Sequence, residues 1–206
     1  MRDGHAERVG LSLPMTRREE GGRAGAQASG RGNDGAVTER DYSQLECNAY
    51  HEAGHAVVAH ALGRRFTGVT IVPEADALGR CRYAEARNFD PDLPDMYSGP
   101  RIERVVEHQI MGYLAGPIAE GILTGEKSWR KTGGNGDVPR AVDLAVYMKG
   151  TIEETEAYLD RLWVQTEELV NRRDNWSAIE ALAAELREQR EVGEGRAREI
   201  IDERRR

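Results

Sequence analysis

The stretch AYHEAGHAVVAHALG, residues 49–63, contains two histidines four positions apart, with a glutamate directly after the first of them. Residues i and i+4 of an α-helix lie one turn apart on the same face, so both imidazoles can reach one ion. Glu52 is rotated by about 100° from His51 around the helix axis. The spacing therefore predicts two metal ligands, His51 and His55, with Glu52 as a flanking general base.

The competing interpretation is an ordinary helix whose histidines and glutamate face solvent. The turns that follow the motif are largely apolar, with Val57, Val58 and Leu62 among them. Unpaired His and Glu side chains in such surroundings would lose hydration without compensation. Metal binding is thus the favoured interpretation, and Zn²⁺, which imidazoles bind in tetrahedral sites, is the expected cofactor.

A catalytic zinc ion needs a third protein ligand and one open coordination position. The candidates elsewhere in the chain are Cys47, Cys81, His60, His108, Glu120 and Asp137. Cys47 lies one turn before His51, but ligands on three consecutive turns of a straight helix diverge too far to share one ion. A buried, inert thiol is expected there. Spacing alone leaves the choice between Glu120 and Asp137 open.

The composition excludes several classes of function. The 206 residues are 39% hydrophobic and 32% charged, and a net charge of −7 argues against nucleic-acid binding. No apolar run approaches the roughly 20 residues that span a bilayer, so no membrane association is predicted. Two cysteines are too few for a disulfide framework, which is typical of a reducing compartment, and the expected location is the cytoplasm.

Residues 1–37 are rich in Gly and Arg and are predicted to be a disordered tail. A zinc metallopeptidase domain is predicted over 38–203, with its first helix capped by Thr38. The pattern then predicts strands at 67–73 and 78–86, and helices at 100–123, 137–150, 151–173 and 176–190, with a short helical tail after Gly195. The predicted fold class is α+β and mainly helical: a zincin-like HExxH helix and a small β unit, followed by a helical bundle.

Five blocks of the sequence, in order, resemble the FtsH family of ATP-dependent zinc proteases. The first is AYHEAGHAVVA (49–59), which is similar to the zinc motif of that family. The others are VTIVP…ALG (69–79), YLAGPIAEGILTG (113–125), TGGNGDVPRAVDLA (132–145) and LAAELREQREVGEGRAREII (182–201). The resemblance covers about residues 40–202 and is to the peptidase domain of the family.

The resemblance implies a zinc-dependent endopeptidase that cleaves protein or peptide substrates. It assigns His51, His55 and Asp137 as ligands and Glu52 as the base. A carboxylate at the start of a helix suits this role, because the positive end of the helix favours its charged form. Glu120 matches an acidic residue of the family that supports a ligand; a plain surface charge is the alternative.

The resemblance also implies that the strand around Leu78, Gly79 and Cys81 binds an extended substrate as an added strand. The sequence departs from the family in the absence of an ATPase module, since KTGGNG (131–136) lacks the G-K-[ST] of a phosphate loop. The expected partners are therefore a second copy of the chain or a separate ATPase. The alternative function is a non-proteolytic, zinc-binding regulatory or accessory subunit that docks on a separate ATPase.

Overall fold

The computed structural model describes residues 42–73, 79–83, 100–125 and 136–205. Within these ranges the helices are α1 (Gln44–Ala61), α2 (Pro100–Thr124), α3 (Asp137–Met148), α4 (Ile152–Val170), α5 (Arg173–Gln189) and α6 (Glu194–Arg204). The strands are β1 (Phe66–Thr70), β2 (Arg80–Tyr83) and β3 (Glu191–Gly193). The prediction of a mainly helical α+β fold is confirmed. The predicted disordered tail 1–37 and Leu78 lie outside the described residues.

The first helix begins later than predicted. Its N-cap is Ser43, whose side chain accepts a hydrogen bond from the main-chain N–H of Glu46 at 3.3 Å. Residues 42 and 43 are not helical, so the predicted start at Thr38 is wrong. Ser43 and Glu46 form the S-x-x-E pattern of a capping box, which competes successfully with the weaker Thr-x-x-Asp pattern upstream. The helix ends at Ala61, and Gly63, predicted as its stop, follows the C-cap Leu62 with a φ of 69°.

A small sheet lies against the helices, with strand order β2-β1-β3 and antiparallel pairing throughout. Val69 of β1 pairs with Cys81 on one side and with Val192 on the other, and all three side chains are buried. Strand β2 therefore forms one outer edge of the described sheet. This edge is the one that matters for the site.

Strand β3 was not predicted from the sequence. It has three residues, too few to show an alternating pattern, and it lies between two helices. Arg190 ends α5 in a left-handed conformation, with φ of 67°, and its carbonyl accepts a hydrogen bond from the main-chain N–H of Ile71 at 2.9 Å. The turn at Arg190 thus directs the chain back along β1.

The helical core is built around α1, which packs against α2 and α5, while α2 also contacts α3 and α4. Helices α1 and α2 approach closely at Gly54, where a Cβ atom would lie 2.7 Å from the Ala115 carbonyl oxygen and 2.7 Å from Ala119 Cβ. This close approach brings the histidines of α1 onto the main chain of α2. Among the helices that the structure describes, none has both the length and the apolar character needed to cross a membrane.

Candidate metal centre

His51, His55 and Asp137 converge on one point. The Nε2 atoms of His51 and His55 lie 3.2 Å and 3.3 Å from Asp137 Oδ2. In a tetrahedral zinc site with ligands about 2.0–2.1 Å from the metal, neighbouring ligand atoms are separated by about 3.3–3.4 Å. The three donor atoms, all within 4.8 Å of one another, therefore have the chemistry and the spacing that a zinc ion requires.

The other nitrogen of each imidazole is occupied. Nδ1 of His51 lies 3.0 Å from Glu120 Oε2, and Nδ1 of His55 donates to the main-chain carbonyl of Gly112 at 2.7 Å. A hydrogen bond at Nδ1 fixes the ring orientation and leaves Nε2 to face the ion. Both rings are buried, so these contacts determine where the nitrogens point.

Asp137 reaches the site because α3 begins with it. Gly136 precedes the helix in a left-handed conformation, with φ of 78°, which glycine adopts without strain. The carboxylate lies in the first turn of α3, where the positive end of the helix dipole stabilises its negative charge. Because α3 packs against α2, this first turn faces the two histidines of α1.

Helix α2 contributes a residue that the sequence analysis did not single out. A Cβ atom at Gly116 would overlap Nε2 of His55 and would lie 2.7 Å from Nε2 of His51. The two imidazoles thus rest on the α2 main chain at this position. The sequence did contain one indication of this role. Gly116 lies four residues before Glu120, so both are on the same face of α2.

Glu52 lies beside the three donors and is only 7% exposed. Burial raises the pKa of its carboxyl group, while the neighbouring His55 and His51 oppose the rise. The nearby main chain of Cys81 also opposes the rise, by a smaller amount. The Oε2 atom of Glu52 has no hydrogen-bond partner among the described residues. A buried carboxylate oxygen without a partner is costly, which suggests a group that receives a proton from a bound molecule.

The charges of the site are strongly coupled. Burial disfavours the charged form of His51, but its hydrogen bonds to Asp137 and Glu120 outweigh burial and raise the pKa of His51 to about 10. Burial raises the pKa of Asp137, but the nearby His55 and the hydrogen bonds from both histidines outweigh burial. They hold the pKa of Asp137 well below its usual range. Both shifts favour the charged forms of His51 and Asp137 when no metal ion is bound.

Comparison with known proteins agrees with this arrangement. The model of peptidase family M41 matches residues 40–151. The chain belongs to peptidase family M41. The match includes both histidines, Glu52, Glu120 and Asp137 of the site, and it confirms the family resemblance inferred from the sequence blocks.

Several relatives of this M41 chain carry the name ATP-dependent zinc metalloprotease FtsH. The relative from Magnetococcus marinus is 35% identical over 104 residues, which are 50% of this chain and 14% of the relative. The FtsH 1 protein of Rhodopirellula baltica is 34% identical over 105 residues, again 50% and 14%. The Photobacterium profundum relative is 27% identical over 173 residues, 77% of this chain and 23% of the relative. The chain thus spans less than a quarter of these relatives.

The remaining candidate ligands of the M41 site lie elsewhere or are engaged otherwise. His60 forms an ion pair with Asp202 of α6 at 3.0 Å. The carbonyl of His108 accepts a hydrogen bond from Arg64, and burial lowers the pKa of its imidazole. Cys47 is a buried free thiol whose pKa is raised, chiefly by burial, as expected for an inert cysteine.

Strand β2 and the preceding Gly79, which the sequence analysis proposes as substrate-binding, lie next to Glu52. Gly79 contacts Glu52, since a Cβ atom at this position would lie 2.9 Å from Glu52 Oε1. The Cys81 thiol is buried at 7% exposure, and burial raises its pKa well above the usual value. Any contact of Cys81 with a substrate would therefore come from its main chain and not from its sulfur.

Proposed function

We propose that this chain is a zinc-dependent endopeptidase in which His51, His55 and Asp137 hold the ion and Glu52 is the general base. The observation that carries this proposal is the buried Oε2 atom of Glu52, which has no partner in the described part of the chain. A purely structural zinc site uses four protein ligands and has no need of such a carboxylate. The three donor atoms and the free carboxylate oxygen together match a hydrolytic site.

A bound zinc ion would polarise both a water molecule and the scissile carbonyl group. Glu52 accepts the proton of that water at Oε2 and later donates it to the leaving amine. Burial raises the pKa of this carboxyl group, which helps it to hold the proton between the two transfers. Gly79 lies against the Glu52 side chain, which limits the positions that the carboxylate can take.

The substrate is proposed to bind along the outer edge of β2. Gly79, directly before β2, lies against Glu52, so the edge of β2 that does not pair with β1 begins beside the site. An extended peptide added to this edge would bond through its main chain, which gives binding that tolerates many sequences. Gly79 and the main chain of Cys81 are the described residues best placed for these contacts. This supports protein or peptide substrates.

A folded protein would have to be unfolded before this site could cleave it. The relatives are named as ATP-dependent enzymes, and the chain spans only a small part of their length. We infer that unfolded segments reach the site with the help of an ATPase, as the names of the relatives suggest. Unfolded substrates should then be cleaved without ATP.

The decisive experiment compares the wild-type chain with Glu52→Gln on unfolded casein, with and without a chelator, and measures bound zinc. Cleavage is expected to fall by about 10²–10⁴-fold in the variant, the usual contribution of a general base, while zinc is retained. A matched variant, His55→Ala, should lose both zinc and cleavage. Equal activity of Glu52→Gln and wild type would exclude the mechanism. Zinc binding without any cleavage by wild type would instead favour the accessory-subunit function.

A further inference from the structure

Tyr83, the last residue of β2, contacts the same main-chain carbonyl as His55. The Tyr83 hydroxyl donates to the Gly112 carbonyl at 3.3 Å, and His55 Nδ1 donates to that oxygen at 2.7 Å. The two rings also meet edge to face, with centroids 6.4 Å apart and planes at 79°. One carbonyl of α2 therefore joins a residue of β2 to an imidazole of α1.

Arg64 also contacts the Tyr83 ring. Its guanidinium carbon lies 4.7 Å from the ring centroid, in a cation–π arrangement. Its Nη1 atom donates to the His108 carbonyl at 3.3 Å, one helical turn before Gly112. Tyr83 thus contacts both Arg64 and His55, and each of these two residues donates a hydrogen bond to a carbonyl of α2, one turn apart.

We propose that Tyr83 is a positioning residue that fixes the orientation of His55 as a metal ligand. The proposal rests on the proposed metal site. The Tyr83 hydroxyl restrains the carbonyl to which His55 Nδ1 donates, and the Tyr83 ring packs edge to face against the imidazole. Residues that orient a ligand in this way typically change metal affinity by about 10–100-fold when they are substituted. Tyr83 is not one of the three proposed ligands but contacts one of them, so its effect acts through His55.

The test measures zinc affinity by competition with a chelator in the full chain and in Tyr83→Phe, which removes only the hydroxyl. The matched control is Tyr113→Phe. Tyr113 is a partly buried tyrosine of α2 whose hydroxyl accepts from Gln109 at 3.5 Å. We expect Tyr83→Phe to weaken zinc binding by about tenfold and Tyr113→Phe to leave it unchanged. The visible absorption of bound Co²⁺, which reports ligand geometry, should shift in Tyr83→Phe alone.

Thermal unfolding of the metal-free proteins separates positioning from general stability. The two metal-free variants should unfold at similar temperatures. Wild-type zinc affinity and an unchanged Co²⁺ spectrum in Tyr83→Phe would overturn the proposal, as would an equal loss of affinity in Tyr113→Phe. A wild-type chain that binds zinc but does not cleave casein would refute the peptidase proposal, whereas the affinity comparison would still decide the role of Tyr83.

Discussion

Gly116 of α2 lies directly against His55 of α1, and a Cβ atom at Gly116 would overlap the Nε2 atom of the ring. The same atom would lie 2.7 Å from Nε2 of His51. Glycine inside a helix costs about 1 kcal/mol relative to alanine, so helix stability does not explain its presence. The two imidazoles do, because a side chain at this position would occupy their space.

The first prediction concerns Gly116→Ala. The added methyl group should displace both imidazoles from Asp137. Zinc affinity should then fall by about 100-fold or more, which is at least as large as the effect of substituting a residue that orients a ligand. The metal-free protein should remain folded, because the higher helix propensity of alanine, about 1 kcal/mol, offsets part of an overpacking cost of about 1–3 kcal/mol. Zinc titration and thermal unfolding of the metal-free protein are the measurements.

Gly54→Ala provides the contrast. Its Cβ atom would lie 2.7 Å from the main-chain oxygen of Ala115, away from the imidazole nitrogens. This variant should lower the free energy of unfolding by about 1–3 kcal/mol, as overpacking usually does. If Gly116→Ala bound zinc as tightly as wild type, the imidazoles could not lie against α2 as described.

The second prediction concerns Gly79→Ala, which should affect catalysis and not metal binding. The new Cβ atom would lie 2.9 Å from Glu52 Oε1 and 3.0 Å from the Thr70 carbonyl oxygen, so Glu52 must move. A displacement of about 1 Å at a catalytic group can reduce the rate by about 10²-fold. Turnover of a fluorogenic peptide should fall by this amount while zinc content stays the same.

Gly195→Ala is the control for this experiment, because it adds the same methyl group to α6, where no heavy atom lies within 4 Å. Its turnover should equal that of wild type. Full activity in Gly79→Ala would mean that Glu52 is not constrained by β2, and loss of zinc would mean that Gly79 supports the ligands instead.

The third prediction concerns Glu120, whose Oε2 atom lies 3.0 Å from Nδ1 of His51. Glu120→Gln keeps an oxygen acceptor but removes the negative charge that makes the imidazole a better ligand. Zinc affinity should fall by about 10–100-fold. Glu103→Gln, on the exposed first turn of α2, changes the net charge equally and should have no effect. An equal response of the two variants would make Glu120 an ordinary surface charge.

The sequence predicted the local part of this site and not its long-range part. His51, Glu52 and His55 lie on adjacent turns of one helix, so the helical period alone determines their relative positions. Asp137 is 82 positions from His55, and its place depends on how α3 packs against α2. No spacing rule contains that information, and only the family resemblance distinguished Asp137 from Glu120.

The features that were missed share the same cause. Strand β3 exists because the chain turns at Arg190 and returns along β1, a pairing between residues distant in sequence. Gly116 carries no chemical group, so its contact with the imidazoles appears only when α1 and α2 are packed together. The start of α1 was misplaced because two N-cap residues compete, and only the capping geometry at Ser43 resolves them.

The last prediction concerns the pH dependence of metal binding. In the metal-free chain, the hydrogen bonds of His51 to Asp137 and Glu120 outweigh its burial and raise its pKa to about 10, from an ordinary value of 6.5. The proton must leave before the nitrogen can bind zinc. Zinc affinity should therefore rise by about tenfold per pH unit between pH 7 and 9, whereas an ordinary histidine, with a pKa of about 6.5, would give a nearly constant affinity over this range.

The same proton stabilises the metal-free fold. A pKa raised on folding contributes stability that is complete below pH 6.5 and is lost as the pH rises through about 10. Chelator competition at pH 7, 8 and 9 measures the affinity, and nitrogen NMR of the metal-free imidazoles should show His51 protonated on both nitrogens at pH 8. In Glu120→Gln one of the two hydrogen-bonded carboxylates is lost, so the rise in affinity should level off at a lower pH. A constant affinity from pH 7 to 9 would show that His51 is already neutral, and that the two carboxylates do not hold its proton.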